Sequence, residues 1–351
     1  MDIRTSRYEP SARSAVVEFQ QLLWSGGPDG NAAYLDWKYA QNPYLNDRYL
    51  LLAWEGDELV GMVGGFGACW QHGGDRVVLP CIADTVVAPD HRGGPLFGRM
   101  LDELTGMLRA DGVPWLLDFG DQRAAPIMVM QGWQSVGPWA IATAERSDGA
   151  ATGRLWAQAR ERELRAPRSG ARIRTTATPE ADLFREFGAL AERNARATHI
   201  RHVRDAEYLS WRARNPLADY FYLTAHSDGL AGYLVGHRTR VDATDGHTPT
   251  TIVECEAVDD GVWLDLVEAA AGVLPGTTVL IWTRDIGADQ RSSLPSLGFA
   301  HDEPSGRLTR DWHLPNLLVR STGAEVHPDW LTGLHDPSRW DLRAVCGRSW
   351  R

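Results

Sequence analysis

Tyr34-Leu35-Asp36-Trp37-Lys38, followed by Asn42-Pro43, returns later in the chain as Tyr208-Leu209-Ser210-Trp211-Arg212, followed by Asn215-Pro216. Two blocks recurring in the same order, about 170 residues apart, mark an internal repeat, and the flanking sequence extends it. Ile3-Arg4-Thr5 recurs as Ile173-Arg174-Thr175, each opening a strand ahead of an amphipathic helix. After each Asn-Pro comes an aromatic and aliphatic strand, Tyr49 to Trp54 and Tyr220 to Ala225, then a turn and a second strand entered through Gly61 or Gly232. Late in each copy, Asp121-Gln122-Arg123 ending at Gly132-Trp133 parallels Asp289-Gln290-Arg291 ending at Gly298-Phe299.

Each copy therefore reads strand, helix, helix, two or three antiparallel strands, a long helix, a strand, a short helix and a final strand, which is an α+β order. The expected division is a first domain at 1–147, a connector at 148–170 and a second domain at 171–351. A chain of 351 residues with a 43% hydrophobic share is long enough for two cores. No apolar run approaches the roughly 20 residues of a membrane helix, so no membrane role and a cytosolic location are expected. The formal net charge of −10 repels phosphate backbones, which argues against nucleic acid and favours cationic or neutral small molecules. Cys69, Cys81, Cys255 and Cys346 stand far apart and read as reduced buried thiols.

The chemistry concentrates where the β-branched run Val77 to Val87 meets Ala88-Pro89-Asp90-His91-Arg92-Gly93-Gly94-Pro95-Leu96-Phe97-Gly98. A strand entering a glycine-rich turn and then a helix leaves backbone N–H groups pointing outward at the helix N-terminus, where they can hold a pyrophosphate. Leu96, Met100, Leu101, Leu104 and Leu108 recur at helical spacing and supply that helix.

Residues 84 to 101 resemble the signature of the GNAT acyl-CoA N-acyltransferase superfamily, a strand and proline-containing turn followed by R/Q-x-x-G-x-G/A. The form with Leu-Phe after the glycines resembles its tandem members that acylate amino sugars and nucleotide sugars. The resemblance implies a tandem α+β fold of two mixed β-sheets flanked by helices. It further implies acetyl-CoA or another acyl-CoA as co-substrate, without metal, and a small-molecule amine as acceptor. Arg92, Gly93, Gly94, Leu96 and Phe97 would bind the pyrophosphate, and Val86, Val87 and Ala88 would pair with the pantetheine arm. Pro95 replaces the second glycine and Phe97 the last Gly/Ala. Met128 stands where the family's tyrosine protonates the departing thiolate, with Leu294 at that place in the second copy.

Transfer to an amine needs a base, and Asp84, eight residues before Arg92, is the candidate, with Glu256 at about the same point of the second copy. A carboxylate kept in both copies also suits a structural role. The second copy continues Asp259-Asp260-Gly261, whose carboxylates would repel a pyrophosphate, so it is expected to wall the acceptor cleft instead. Trp37 offers a ring for stacking on an acceptor, although its recurrence as Trp211 favours packing. Asp118 and Asp121 either line the cleft or cap the next helix. His199, His202 and Asp205 read as surface histidines and a helix cap rather than metal ligands. Two alternatives remain: a non-catalytic binding protein, and an enzyme whose thioester donor is a carrier protein.

Overall fold

The computed structural model describes residues 3–24, 26–120, 124–146, 155–159, 163–176, 178–240, 249–305, 314–325, 330 and 333–347. Its strands, numbered along the chain, form two mixed sheets. The first runs β1 (Ile3–Arg7), β2 (Leu50–Glu55), β3 (Glu58–His72), β4 (Asp75–Val87), β5 (Trp115–Asp118), β15 (Asn316–Ser321) and β6 (Gln134–Pro138); β9 (Ile200–His202) pairs with β3, and β16 (Trp340–Asp341) with β9. The second runs β8 (Arg172–Thr176), β10 (Ala218–His226), β11 (Leu230–Thr239), β12 (Thr250–Ala257), β13 (Thr278–Trp282), β7 (Ile141–Glu145) and β14 (Ala300–Asp302). In both, an antiparallel meander is followed by one parallel pair, β4 with β5 and β12 with β13.

The sheets do not follow the division expected at residue 147. β7 leaves β6 and inserts between β13 and β14, while β15 leaves β14 and inserts between β5 and β6. The second sheet therefore takes β7 from the first half of the chain, and the first sheet takes β9, β15 and β16 from the second. Local sequence carries turn signals but no statement of which sheet edge a short apolar strand will join, because pairing partners are non-local.

The helices are α1 (Arg13–Phe19), α2 (Gly27–Leu35), α3 (Leu96–Ala110), α4 (Ala124–Met130), α5 at 155–159, α6 (Ala181–Arg193), α7 (Ala206–Arg212), α8 (Asp260–Val273) and α9 (Ala288–Ser293). As the periodicity predicts, α3 buries Leu96, Met100, Leu101, Leu104 and Leu108, which pack on Val60, Val63, Ile82 and Leu116 of the first sheet. α8 covers the second sheet in the same way with Val262, Leu266, Val267 and Ala270. A third core lies between the two sheets and is rich in aromatics. At its centre Trp37 and Trp211 stack at 4.7 Å and 8°, and each indole N–H donates to the other's backbone carbonyl at 2.7 Å. The acceptor-stacking role considered for Trp37 is therefore corrected: its ring is 2% exposed and its face is taken by Trp211. The reciprocity explains why the tryptophan recurs in the sequence.

Candidate active site

β4 and β5 pair at Cys81 and Leu117, and beyond that point the strands diverge into a fork. The edge of β4 that faces the fork carries Val87. The Ala88 N–H donates to Val60 C=O at 2.9 Å, so strand alternation turns the Val87 N–H and C=O away from β3, toward the fork. The Val87 carbonyl accepts from Arg92 Nε at 2.9 Å, which ties the following turn to the strand. That turn is exposed at Arg92, Gly93 and Gly94, and Gly93 takes φ +76°, a conformation that glycine adopts without strain.

Pro95 is the N-cap residue of α3, and the first helical bond runs from Arg99 N–H to Pro95 C=O at 3.0 Å. The N–H groups of Leu96, Phe97 and Gly98 therefore lie outside the helix ladder, and no side chain caps them. The proline stands one place before the first of these N–H groups, so none of the three is lost to it. No acidic residue stands in the first turn. The N-terminus of this fifteen-residue helix is a donor set suited to an anion. The expected positions Val86, Val87, Ala88, Arg92, Gly93, Gly94, Leu96 and Phe97 thus lie between the end of β4 and the first turn of α3.

Asp84 lies three residues before Val87, on the face shared with the other sheet. It takes φ +52°, alone among the described non-glycine residues. Such a conformation costs about 1–3 kcal/mol and needs support from its surroundings. Here β4 bulges: Met62 pairs with Val86 and Gly64 with Ala83, leaving two β4 residues opposite Val63. Asp84 Oδ1 accepts from Lys38 Nζ at 2.9 Å and from Tyr34 OH at 3.4 Å, and Oδ2 accepts from Tyr39 OH at 2.8 Å. Lys38 Nζ also donates to Tyr34 OH at 2.8 Å. Burial and the Asp84 charge push the Tyr39 hydroxyl well above the usual phenol range, so it stays a donor. The side chains of Lys38 and Asp84 are each 1% exposed. A carboxylate enclosed by three donors does not meet a substrate amine, which corrects the expectation that Asp84 is the general base.

Asp118, at the end of β5, is buried. Leu116 belongs to the core under α3, whereas Leu117 and Phe119 belong to the core between the sheets, so alternation sets Asp118 on the α3 side, opposite Asp84. The structure does not bring the two carboxylates to one face. Asp121 lies outside the described residues. Met128 is 2% exposed within the core under α3, and Leu294 is fully buried in the matching core of the second sheet.

The second sheet answers differently at each point. Asp259 caps α8, its carboxylate accepting the Val262 N–H at 2.9 Å. Gly232 pairs with Ala257 as Gly61 pairs with Val87, but β12 bulges further back than β4, so Glu256 holds the register of Val86 and Glu254 that of Ala83, and neither holds the place of Asp84. The two glutamates share Arg204, which lies 2.7 Å from Glu256 and also contacts Glu254. Glu256 further accepts from Asn194 at 2.9 Å and lies 3.3 Å from Arg343. Its assigned catalytic role is corrected accordingly: it is 4% exposed inside an ion cluster. Burial raises the Glu254 carboxyl to about 7, while Arg204 and Arg343 hold Glu256 low. Arg343 and Ala344 line the β12/β13 fork, where about 10 Å³ is left beside them, room for about one water at most.

Sequence reasoning missed Lys38, Tyr34 and Tyr39 as partners of Asp84; the recurrence of a cation at 38 and 212 was the one available signal. His202 is not at the surface: it is 1% exposed between Tyr208 and Trp70, and burial holds it neutral. Asp205 does cap α7, accepting the Tyr208 N–H at 2.9 Å. Among the described residues no group of three or more His, Cys, Asp or Glu is placed to hold a metal, and no helix is long and apolar enough to cross a membrane. A cavity of about 300 Å³ opens between α6 and residues 201–206, lined by Arg185, Glu192 and Arg201, with Arg76 of β4 beside them. Arg76 stands about 35 Å along β4 from Val87, so the cavity is separate from the fork.

Residues 9–134 match the family model of the acetyltransferase (GNAT) domain. No curated protein matches the sequence at a significant level. Among solved structures, a GCN5-related N-acetyltransferase from Anabaena variabilis is similar at 11% identity and TM-score 0.61, over 92% of this chain and 73% of its own. A probable N-acyltransferase from Enterococcus faecalis is similar at 13% identity and TM-score 0.61, over 94% and 75%. A GCN5-related N-acetyltransferase from Kribbella flavida is similar at 17% identity and TM-score 0.58, over 91% and 71%. At these identities the likeness establishes the fold, a GNAT-like α+β architecture.

Proposed function

We propose that this chain, whose residues 9–134 match a GNAT acetyltransferase domain, transfers an acetyl or other short acyl group from acyl-CoA to the amine of a small metabolite such as an amino sugar. The observation that carries the reading is the uncapped N-terminus of α3 following the end of β4, beyond the Cys81–Leu117 pairing with β5. The pyrophosphate would accept from the N–H groups of Leu96, Phe97 and Gly98, with Arg92 beside it. The pantetheine arm would lie along Val86 to Ala88 and bring the thioester to the fork. The amine nitrogen attacks the carbonyl carbon, the C–S bond breaks, and the sulfur leaves as a thiolate that takes up a proton. The ammonium proton passes to water, because Asp84 is enclosed. The Val87 N–H, facing the fork, hydrogen-bonds the carbonyl oxygen as negative charge develops there.

The repeated blocks and the shared strand order support descent from a fused duplicate in which one copy kept the donor site. The net charge of −10 supports a cationic acceptor over a nucleic acid. Thiol release from acetyl-CoA over a panel of amino sugars, aminoglycosides and polyamines tests the reading; turnover with at least one amine is expected. Binding without turnover across the panel would favour the second reading, a CoA-binding protein or an enzyme with a carrier-protein donor. Met128, buried where the family keeps its thiolate acid, is the observation behind that alternative.

A further inference from the structure

We propose that Lys38, Tyr34 and Tyr39 lock Asp84 in its left-handed conformation, and that through the resulting bulge this cluster aims the Val87 N–H at the thioester carbonyl. Asp84 is then a positioning residue. The inference rests on the acyl-transfer reading.

Four observations converge on the clamp. All three partners come from a single stretch of helix. The backbone widens to a π turn at Asp36–Ala40, where Gln41 N–H bonds Asp36 C=O, and Lys38 and Tyr39 both reach the carboxylate although they are adjacent in sequence. Room for the Tyr39 hydroxyl exists because residue 64 is glycine: a Cβ there would lie 1.9 Å from that oxygen. The rings of Tyr34 and Phe66 flank Lys38 Nζ at 5.0 and 5.4 Å, so the cation is fixed from three sides. Finally, Glu254 in the second sheet is held by Arg204 and does not take positive φ. Among the described non-glycine residues, positive φ occurs at Asp84 alone, in the sheet beneath the uncapped α3.

The bulge changes what the strand presents. Without the extra residue, the edge beyond Ala83 would keep its register and alternation would turn the Val87 N–H toward β3. Holding Asp84 therefore selects which amide faces the fork. A charged pair is not itself required; what is required is a residue at 84 that tolerates positive φ and has partners to fix it.

The test uses the full-length protein and four variants, Lys38→Met/Asp84→Asn, Asp84→Ala, Lys38→Met/Asp84→Val and the milder Tyr39→Phe. Each is assayed by steady-state kinetics and by amide hydrogen exchange at residues 85–88. Asparagine adopts left-handed backbone readily, so Lys38→Met/Asp84→Asn should keep kcat within about fivefold and leave the pH profile in place. Asp84→Ala and the valine double variant should lose about 30-fold or more in kcat, with the acetyl-CoA KM within threefold and exchange at 85–88 raised at least tenfold. Tyr39→Phe should lower kcat about threefold with a proportionate rise in exchange. The clamp is overturned if Lys38→Met/Asp84→Asn loses turnover as fully as Asp84→Ala together with the acidic limb of the pH profile, since the carboxylate would then be the base. If the parent protein turns over no amine, the acyl-transfer reading fails, and the exchange data still decide. Unchanged exchange in the valine variant overturns the clamp.

Discussion

The N-termini of α3 and α8 stand at the same place over two sheets of one strand order, and they are finished in opposite ways. α3 starts behind a glycine turn with nothing capping its first N–H groups, whereas α8 starts on the Asp259 carboxylate. Below α3 the β4/β5 pairing is registered at Cys81 and Leu117, short of Val87; below α8 Arg343 and Ala344 line the β12/β13 fork. A helix N-terminus offers the same donors wherever it occurs, and a carboxylate of the chain competes for them with any anion from outside. The architecture supplies a potential anion site twice, and a few residues at each copy decide whether it stays available or is satisfied internally.

The strongest way to probe that contrast is through the buried charges beneath each helix. Arg204→Met leaves Glu254 and Glu256 short of their shared cation and should destabilise the protein by about 3–5 kcal/mol in denaturant unfolding. Lys38→Met should cost a similar amount by leaving Asp84 unpaired. Arg185→Met, which breaks an exposed pair, should stay within about 0.5 kcal/mol. If all three variants behaved alike, the buried clusters would not be distinct from surface charge.

The Arg204 cluster should also respond to pH. Burial raises Glu254 to about 7, above its unfolded value, so the folded state keeps a proton that the unfolded state gives up. Its stabilising contribution is complete below the unfolded pKa near 4.5 and is lost as pH rises toward 7. Glu254→Gln should flatten the fall in stability across that window, which chemical denaturation at several pH values will show.

Exchanging the two helix caps gives smaller, opposite effects. Pro95→Asp places a carboxylate on the first turn of α3 as in α8, and should weaken acetyl-CoA binding at least tenfold, about 1.4 kcal/mol. Asp259→Ala should cost about 1 kcal/mol of stability and create no second CoA site, because the fork beneath remains filled. Smallest of all, Trp37→Phe and Trp211→Phe should each cost about 1 kcal/mol and match one another, since each removes the same indole bond from a reciprocal pair. Unequal losses would show that the pairing is less symmetric than its geometry.

Much of this was legible in the residues. Tyr34-Leu35-x-Trp37 and its echo at 208 announced the two matching sheets, and leucine spacing after Gly94 placed α3 where it lies. The run 92 to 97 carries the glycine turn and the Pro95 N-cap that leave the first N–H groups of α3 without a side-chain cap. Strand exchange was not legible, because β7 and β15 carry short apolar patterns that suit either sheet. The match of Glu256 to Asp84 does not hold because β4 and β12 bulge at different points, which counting along the sequence does not reveal. The enclosure of Asp84 depends on a π turn and on a missing Cβ at Gly64, features that spacing alone does not reveal.

The central claim, that one lobe alone keeps the donor site, is tested most directly by calorimetric titration of the full-length protein with acetyl-CoA. The account predicts one site per chain, weakened by Pro95→Asp and unaffected by Asp259→Ala. Two equivalent sites, or no binding at millimolar acetyl-CoA, would contradict it.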